Sequence, residues 1–116
     1  MIRRKTMANE ATNSGNTELS ETAQRYDTLR KSIPFVRPPD ALVVTGGLAA
    51  TFPDDLPSIL TKVKEFSTFT EDNDPWHEHD FGAFEFKGEK MFWKIDDHRG
   101  NEGYNLVLTV MLASDY

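Results

Sequence analysis

The feature that most constrains this chain is its last long apolar run, Tyr104 to Ala113. Its alternate positions are apolar on both sides, with Leu106, Leu108, Val110 and Leu112 in one row and Val107 and Met111 in the other. Side chains of a strand alternate between faces, so such a run needs cover on both. The expectation is a strand in the middle of a sheet, with the rest of the chain arranged around it.

Upstream patterns supply that rest. Leu19, Ala23, Tyr26, Leu29 and Ile33 recur at helical spacing and predict a first helix over residues 18–32, with Ser20 as a loose cap. It ends at Ile33-Pro34, because the residue before proline disfavours helical dihedrals. Pro38-Pro39-Asp40 is a stiff connector, and Ala41 to Thr45 is a short apolar strand that Gly46-Gly47 breaks. Asp54-Asp55-Leu56-Pro57 starts a second helix, since Asp can cap and proline is tolerated in a first turn. Its stripe is Leu56, Ile59, Leu60, Val63 and Phe66. Ala83 to Phe86 and Met91 to Asp96 form a hairpin around a Lys87–Lys90 turn. A polar loop, Asp97 to Gly103, leads to the last strand. The predicted order is α-β-α-β-β-β, an α+β domain with two helices on one face of a mostly antiparallel four-stranded sheet. Residues 1–17 are too poor in apolar side chains to fold and are expected as a disordered tail, leaving 18–116 as one domain. Met7 offers an alternative start that would delete Arg3, Arg4 and Lys5.

Composition narrows function by exclusion. The chain has no cysteine, which removes disulfides, thiolate metal sites and a cysteine nucleophile. Met-Ile-Arg-Arg-Lys lacks the apolar stretch a secretory signal requires, and no window reaches a transmembrane length. A cytoplasmic, membrane-free protein is expected. The formal charge of -6 disfavours direct contact with nucleic acid.

That charge has a location. Residues 71–85 contain Glu71, Asp72, Asp74, Glu78, Asp80 and Glu85 and no Lys or Arg. Of 19 acidic residues these are six, so the remaining chain has 13 acidic against 13 basic residues. Asn73-Asp74-Pro75 is turn chemistry. Trp76 beside it is either a core plug or an exposed anchor, whereas Trp93, between Phe92 and Ile95, reads as packing. His77 and His79 would chelate one ion together if the backbone were extended, with Asp74, Asp96, Asp97 or His98 as a third ligand. The competing reading is a hydrogen-bonded knot of Glu78, His79 and Asp80 that locks the loop to the sheet. Crowded carboxylates also suit general acid–base work, but no nucleophile or cofactor is signposted. Asp80-Phe81-Gly82 spells a kinase triplet without the rest of a kinase. Val44-Thr45-Gly46-Gly47 lacks the spacing of a phosphate loop and reads as a strand-ending turn.

Three blocks together carry a resemblance: Asn73-Asp74-Pro75-x-x-Glu78-His79-Asp80-Phe81-Gly82, Phe92-Trp93-Lys94-Ile95-Asp96, and Leu108 to Ala113 followed by Tyr116. They resemble a family of small bacterial proteins, number 3768 in the domain-of-unknown-function series, over roughly residues 25–116. Val44 to Gly47 and the helix running into Phe66 to Phe69 are similar too. This chain departs from the pattern at Asp97, His98 and Arg99, where the family has two tyrosines and an acid, and in a shorter loop at Gly100–Asn105. His79 falls within the motif and His77 at a position it leaves open. The resemblance implies alphaproteobacteria and their plasmids and phages, a setting in which small acidic proteins block host defence machinery.

The functional expectation is a small acidic non-enzymatic protein-binding module, which in that setting would be anti-CRISPR-like. Glu71, Asp72, Asp74, Trp76, Glu78 and Asp80 would dock on a basic nucleic-acid-binding surface. No catalytic residue, metal or cofactor is assigned. The alternatives are a metal-dependent hydrolase or nuclease using Glu78, His79, Asp80 and Asp96, and a toxin–antitoxin or regulatory partner. A homodimer through the hairpin edge is left open.

Overall fold

The computed structural model describes residues 19–99 and 105–116. The expected tail and most of the polar loop before the last strand lie outside these. The described elements are α1 (Glu21–Lys31), β1 (Ala41–Val44), α2 (Gly46–Thr51), α3 (Leu56–Lys64), β2 (Phe81–Phe86), β3 (Glu89–Asp97), β4 (Leu106–Leu112) and a terminal 3-10 turn, Ala113–Asp115.

β4 does sit inside the sheet, whose strand order is β1-β4-β3-β2. The β2–β3 and β3–β4 pairs are antiparallel, but β1 runs parallel to β4, with Ala41 opposite Val107 and Val44 opposite Val110. The sheet is therefore mixed, not mostly antiparallel as expected. Apolar alternation encodes which face a strand buries and is silent on the direction of its neighbour. Contacts at both ends of β1 hold the parallel register. Asn105 N–H donates to the Pro39 carbonyl (3.1 Å), Leu106 N–H to Asp40 Oδ1 (3.1 Å) and Thr45 N–H to the Val110 carbonyl (3.1 Å).

The predicted order also lacked a helix. Gly46-Gly47 opens α2 rather than simply ending β1. Thr45 caps it, with Oγ1 accepting from Leu48 N–H (3.5 Å) and donating to Asp115 Oδ2 (2.7 Å). A Cβ on Gly47 would lie 2.6 Å from Asp115 Oδ1, so only glycine lets that carboxylate approach the helix start. Two glycines are poor helix formers. Burial of Leu48 and the carboxylate at the positive helix end offset this.

All three helices contribute to one core. Tyr26, Leu29 and Ile33 from α1 and its end, Leu48 from α2, and Ile59 and Val63 from α3 pack against Met91, Trp93, Ile95, Leu106, Leu108 and Val110. These strand residues share one face by register. The second row of β4 is covered less completely. Met111 is buried beside an aromatic group formed by Phe81, Phe92 and Tyr116, whose ring centroids lie 5.0 to 6.0 Å apart.

The hairpin is longer than expected and its turn tighter. Lys87 (φ 51°) and Gly88 (φ 82°) are both left-handed, the conformation a two-residue type I′ connection requires. Lysine is an unusual first residue there. Its ammonium reaches Asp55 at 3.2 Å. This also explains why Asp55 precedes α3 without capping it through its side chain.

Candidate functional site

The acidic segment is organised by a buried polar knot beneath an exposed tip. Asn73 begins it, with Oδ1 accepting from Thr70 N–H (2.9 Å) and Nδ2 donating to the Thr68 carbonyl (2.9 Å). Asp74 N–H then donates to the Thr70 carbonyl (2.8 Å), which closes the turn. The Asp74 carboxylate points inward and is 4% exposed. It accepts from the backbone N–H groups of Glu78 (3.0 Å) and His79 (3.2 Å). Those donors converge because His77 and His79 take φ values of 56° and 58°, folding the backbone around the carboxylate.

His79 extends the knot into the helices. Its Nδ1 lies 2.9 Å from Asp27 on α1, and its Nε2 lies 3.6 Å from Asp74. The imidazole stacks on Phe69 at 3.8 Å with an interplanar angle of 1°. Asp27 in turn accepts from Arg30 (2.9 Å), a guanidinium that is 1% exposed. Arg30 Nη1 donates to the carbonyls of Val63 (3.1 Å), Lys64 (3.0 Å) and Phe66 (2.9 Å). These carbonyls lie at and just beyond the end of α3, where helical donors run out, and that of Val63 also accepts from Phe66 N–H (3.2 Å). The guanidinium lies 5.2 Å from the Trp93 ring and 5.5 Å from that of Phe69. The buried Asp74 carboxylate, the partly buried His79 imidazole and Asp27 carboxylate, and the buried Arg30 guanidinium thus form a continuous chain from loop to helix end.

Above the knot, the tip is open. Trp76 is 81% exposed, and Glu71, Asp72, His77 and Glu78 are exposed with it. His77 Nε2 is 3.6 Å from Glu71, a surface pair. Asp80 is half-buried and its carbonyl accepts from Ile95 N–H (2.9 Å), which tethers the loop to β3.

Of the expected contact residues, Glu71, Asp72, Trp76 and Glu78 are exposed and Asp80 is half-buried. Asp74 is buried. Asp74 is therefore a correction: its carboxylate is occupied by backbone donors and faces away from any partner. The His77–His79 chelate, conditional on an extended backbone, does not form either. The two backbones are left-handed rather than extended, and one ring is exposed while the other is buried. The hydrolase set is likewise not assembled. The His79 nitrogens face Asp27 and Asp74 rather than Glu78 or Asp80, and Asp96 pairs with Lys94 (3.0 Å). Among the described residues no group of three or more His, Asp or Glu side chains is arranged to hold a metal ion. A knot does form around His79, but Asp74 and Asp27, with Arg30 behind Asp27, take the places expected for Glu78 and Asp80: the Glu78 side chain is exposed and Asp80 joins only through its backbone carbonyl.

Asp27 and Arg30 escaped sequence reasoning, although a signal was present. Arg30 stands four residues after Tyr26 and three before Ile33, on the apolar stripe itself. A charge there needs a buried partner, and Asp27 is one turn away.

The fold and this loop define a small α+β domain that presents an acidic, Trp-bearing tip on a rigid base. Residues 44–115 match the family model described as protein of unknown function (DUF3768), and the chain belongs to that family. Neither the curated proteins nor the solved structures give a match. No helix among the described residues is long and apolar enough to cross a membrane.

Proposed function

We propose that this chain is a non-enzymatic binding module whose acidic tip docks on a basic protein surface. The observation that carries this reading is Trp76, 81% exposed amid Glu71, Asp72 and Glu78 on a loop that the Asp74–His79 knot pins from below. A large indole on a pre-ordered loop loses little entropy on binding and is a common energetic centre of interfaces. The surrounding carboxylates steer encounter with a positive partner. The partner class that fits is a protein whose basic groove otherwise holds nucleic acid, with the carboxylates standing in for phosphates. The mobile-element setting implied by the resemblance makes a CRISPR-type defence effector the specific candidate.

The test is capture of partners from the source organism by the full chain and by two variants, Trp76→Ala and Glu71→Lys with Asp72→Lys. The expected result is a basic nucleic-acid-binding protein that is retained by the parent, lost with both variants, released by salt and displaced by its own nucleic acid. Retention of the same partner by both variants would overturn the assignment.

A further inference from the structure

A second site lies on the basic side of the molecule and takes no part in the acidic tip. A groove of ≈ 790 Å³ opens between α1, the proline-rich connector and the end of β3. Arg25, Arg37 and Arg99 all line it, with Phe35 and Asn105. The opposing carboxylate is Asp40, whose Oδ1 is already bonded to Leu106 N–H. Among the described residues, Arg25 and Arg37 have no carboxylate within ion-pair distance, and Arg99 forks onto Asp97 through Nε (2.9 Å) and Nη2. With Arg99 held by Asp97, Arg25 and Arg37 are the charges the groove offers most freely to a bound anion. Phe35 adds a ring that is 80% exposed, carried on a backbone turn that its N–H closes by donating to the Ser32 carbonyl (2.8 Å).

From this juxtaposition we infer that the groove binds a phosphorylated small molecule carrying a planar ring, of nucleotide size. The guanidiniums take phosphate oxygens in forked pairs, and Phe35 stacks on the ring. The volume falls within the range of small-ligand sites. A polynucleotide fits less well, because a strand leaving the groove meets negative charge. Burial first, and then the negative charges of Asp97, Glu78 and Asp80, push up the phenol pKa of Tyr26, immediately beside Arg25.

The experiment is calorimetric titration of the full chain with ATP, tripolyphosphate and a single-stranded oligonucleotide. The expected result is saturation by ATP below about 1 mM and binding of tripolyphosphate about ten-fold weaker. Phe35→Ala should remove that difference, and Arg37→Glu should weaken both ligands by about ten-fold or more, the scale of a lost charge-assisted hydrogen bond. Lys62→Glu, an exposed charge that does not line the groove, controls for net charge and should change neither. All three positions are exposed at the surface, and a thermal melt confirms that each variant is folded. No saturation by ATP, equal weakening by Lys62→Glu, or tighter binding of the oligonucleotide than of ATP would each overturn the inference.

Discussion

At the scale of single residues, the clearest dictate is steric. Gly82 lies against Trp93, and a Cβ built there would sit 2.3 Å from Trp93 Nε1 and 2.9 Å from Phe66 Cζ. Both neighbours belong to the packed interior, so neither can swing aside into solvent. Gly82→Ala is therefore expected to destabilise the fold by about 1–3 kcal/mol, the usual cost of overpacking, read as a fall in the urea midpoint at unchanged slope. The triplet Asp80-Phe81-Gly82 thus has a structural meaning in place of its kinase-like spelling. Asp80 tethers the loop, Phe81 joins the outer aromatic group, and Gly82 makes room for the indole. A pattern reading could place Trp93 inside. It had no means to see that the glycine eleven positions earlier was its packing partner, because that pairing arises only from strand register.

At the scale of elements, Arg30 does for α3 what a capping residue would do, but from another helix. Its three bonds to carbonyls at the end of α3 join α1 to α3 by polar contact in addition to their shared apolar core, and Asp27 on α1 holds the guanidinium in place. Arg30→Leu puts an apolar side chain there but takes the donor from the Lys64 and Phe66 carbonyls and removes a partner of Asp27. The expected loss is about 3 kcal/mol, within the range for breaking a buried charge network, measured by thermal or urea unfolding. The helices themselves were legible where periodicity speaks, since α1 and α3 fall where their apolar stripes lie. α2 was not, because two glycines argue against a helix locally. What favours the helix is Asp115, 70 residues away from its bonding partner Thr45. The hairpin was legible from Gly88, and its true length was not, since β2 begins at Phe81 only once the loop before it is closed.

At the scale of the whole molecule, charge separates. The acidic tip and the arginine-lined groove lie either side of α1, and Tyr26 registers both. Burial first, then Asp97, Glu78 and Asp80, raise its phenol pKa, while Arg25 acts the other way. A neutral phenol is favoured in the folded chain, so its contribution to stability is present below the unfolded value of about 10. It is lost as pH rises through the higher folded value. Stability should decline more steeply above pH about 10 in the parent than in Tyr26→Phe, as read from urea midpoints across that range. The candidate site was half legible. The carboxylates, Trp76 and the motif histidine stood in one stretch of sequence, while Asp27, Arg30 and the inward turn of Asp74 depend on how distant segments meet. One further consequence concerns the two indoles, of which Trp76 is 81% exposed and Trp93 is fully buried. They occupy opposite optical environments, so the native chain carries its own pair of fluorescent probes. Acrylamide, a neutral quencher, should quench the red-emitting Trp76 until a partner shields it, while the blue emission of Trp93 stays constant until the chain unfolds.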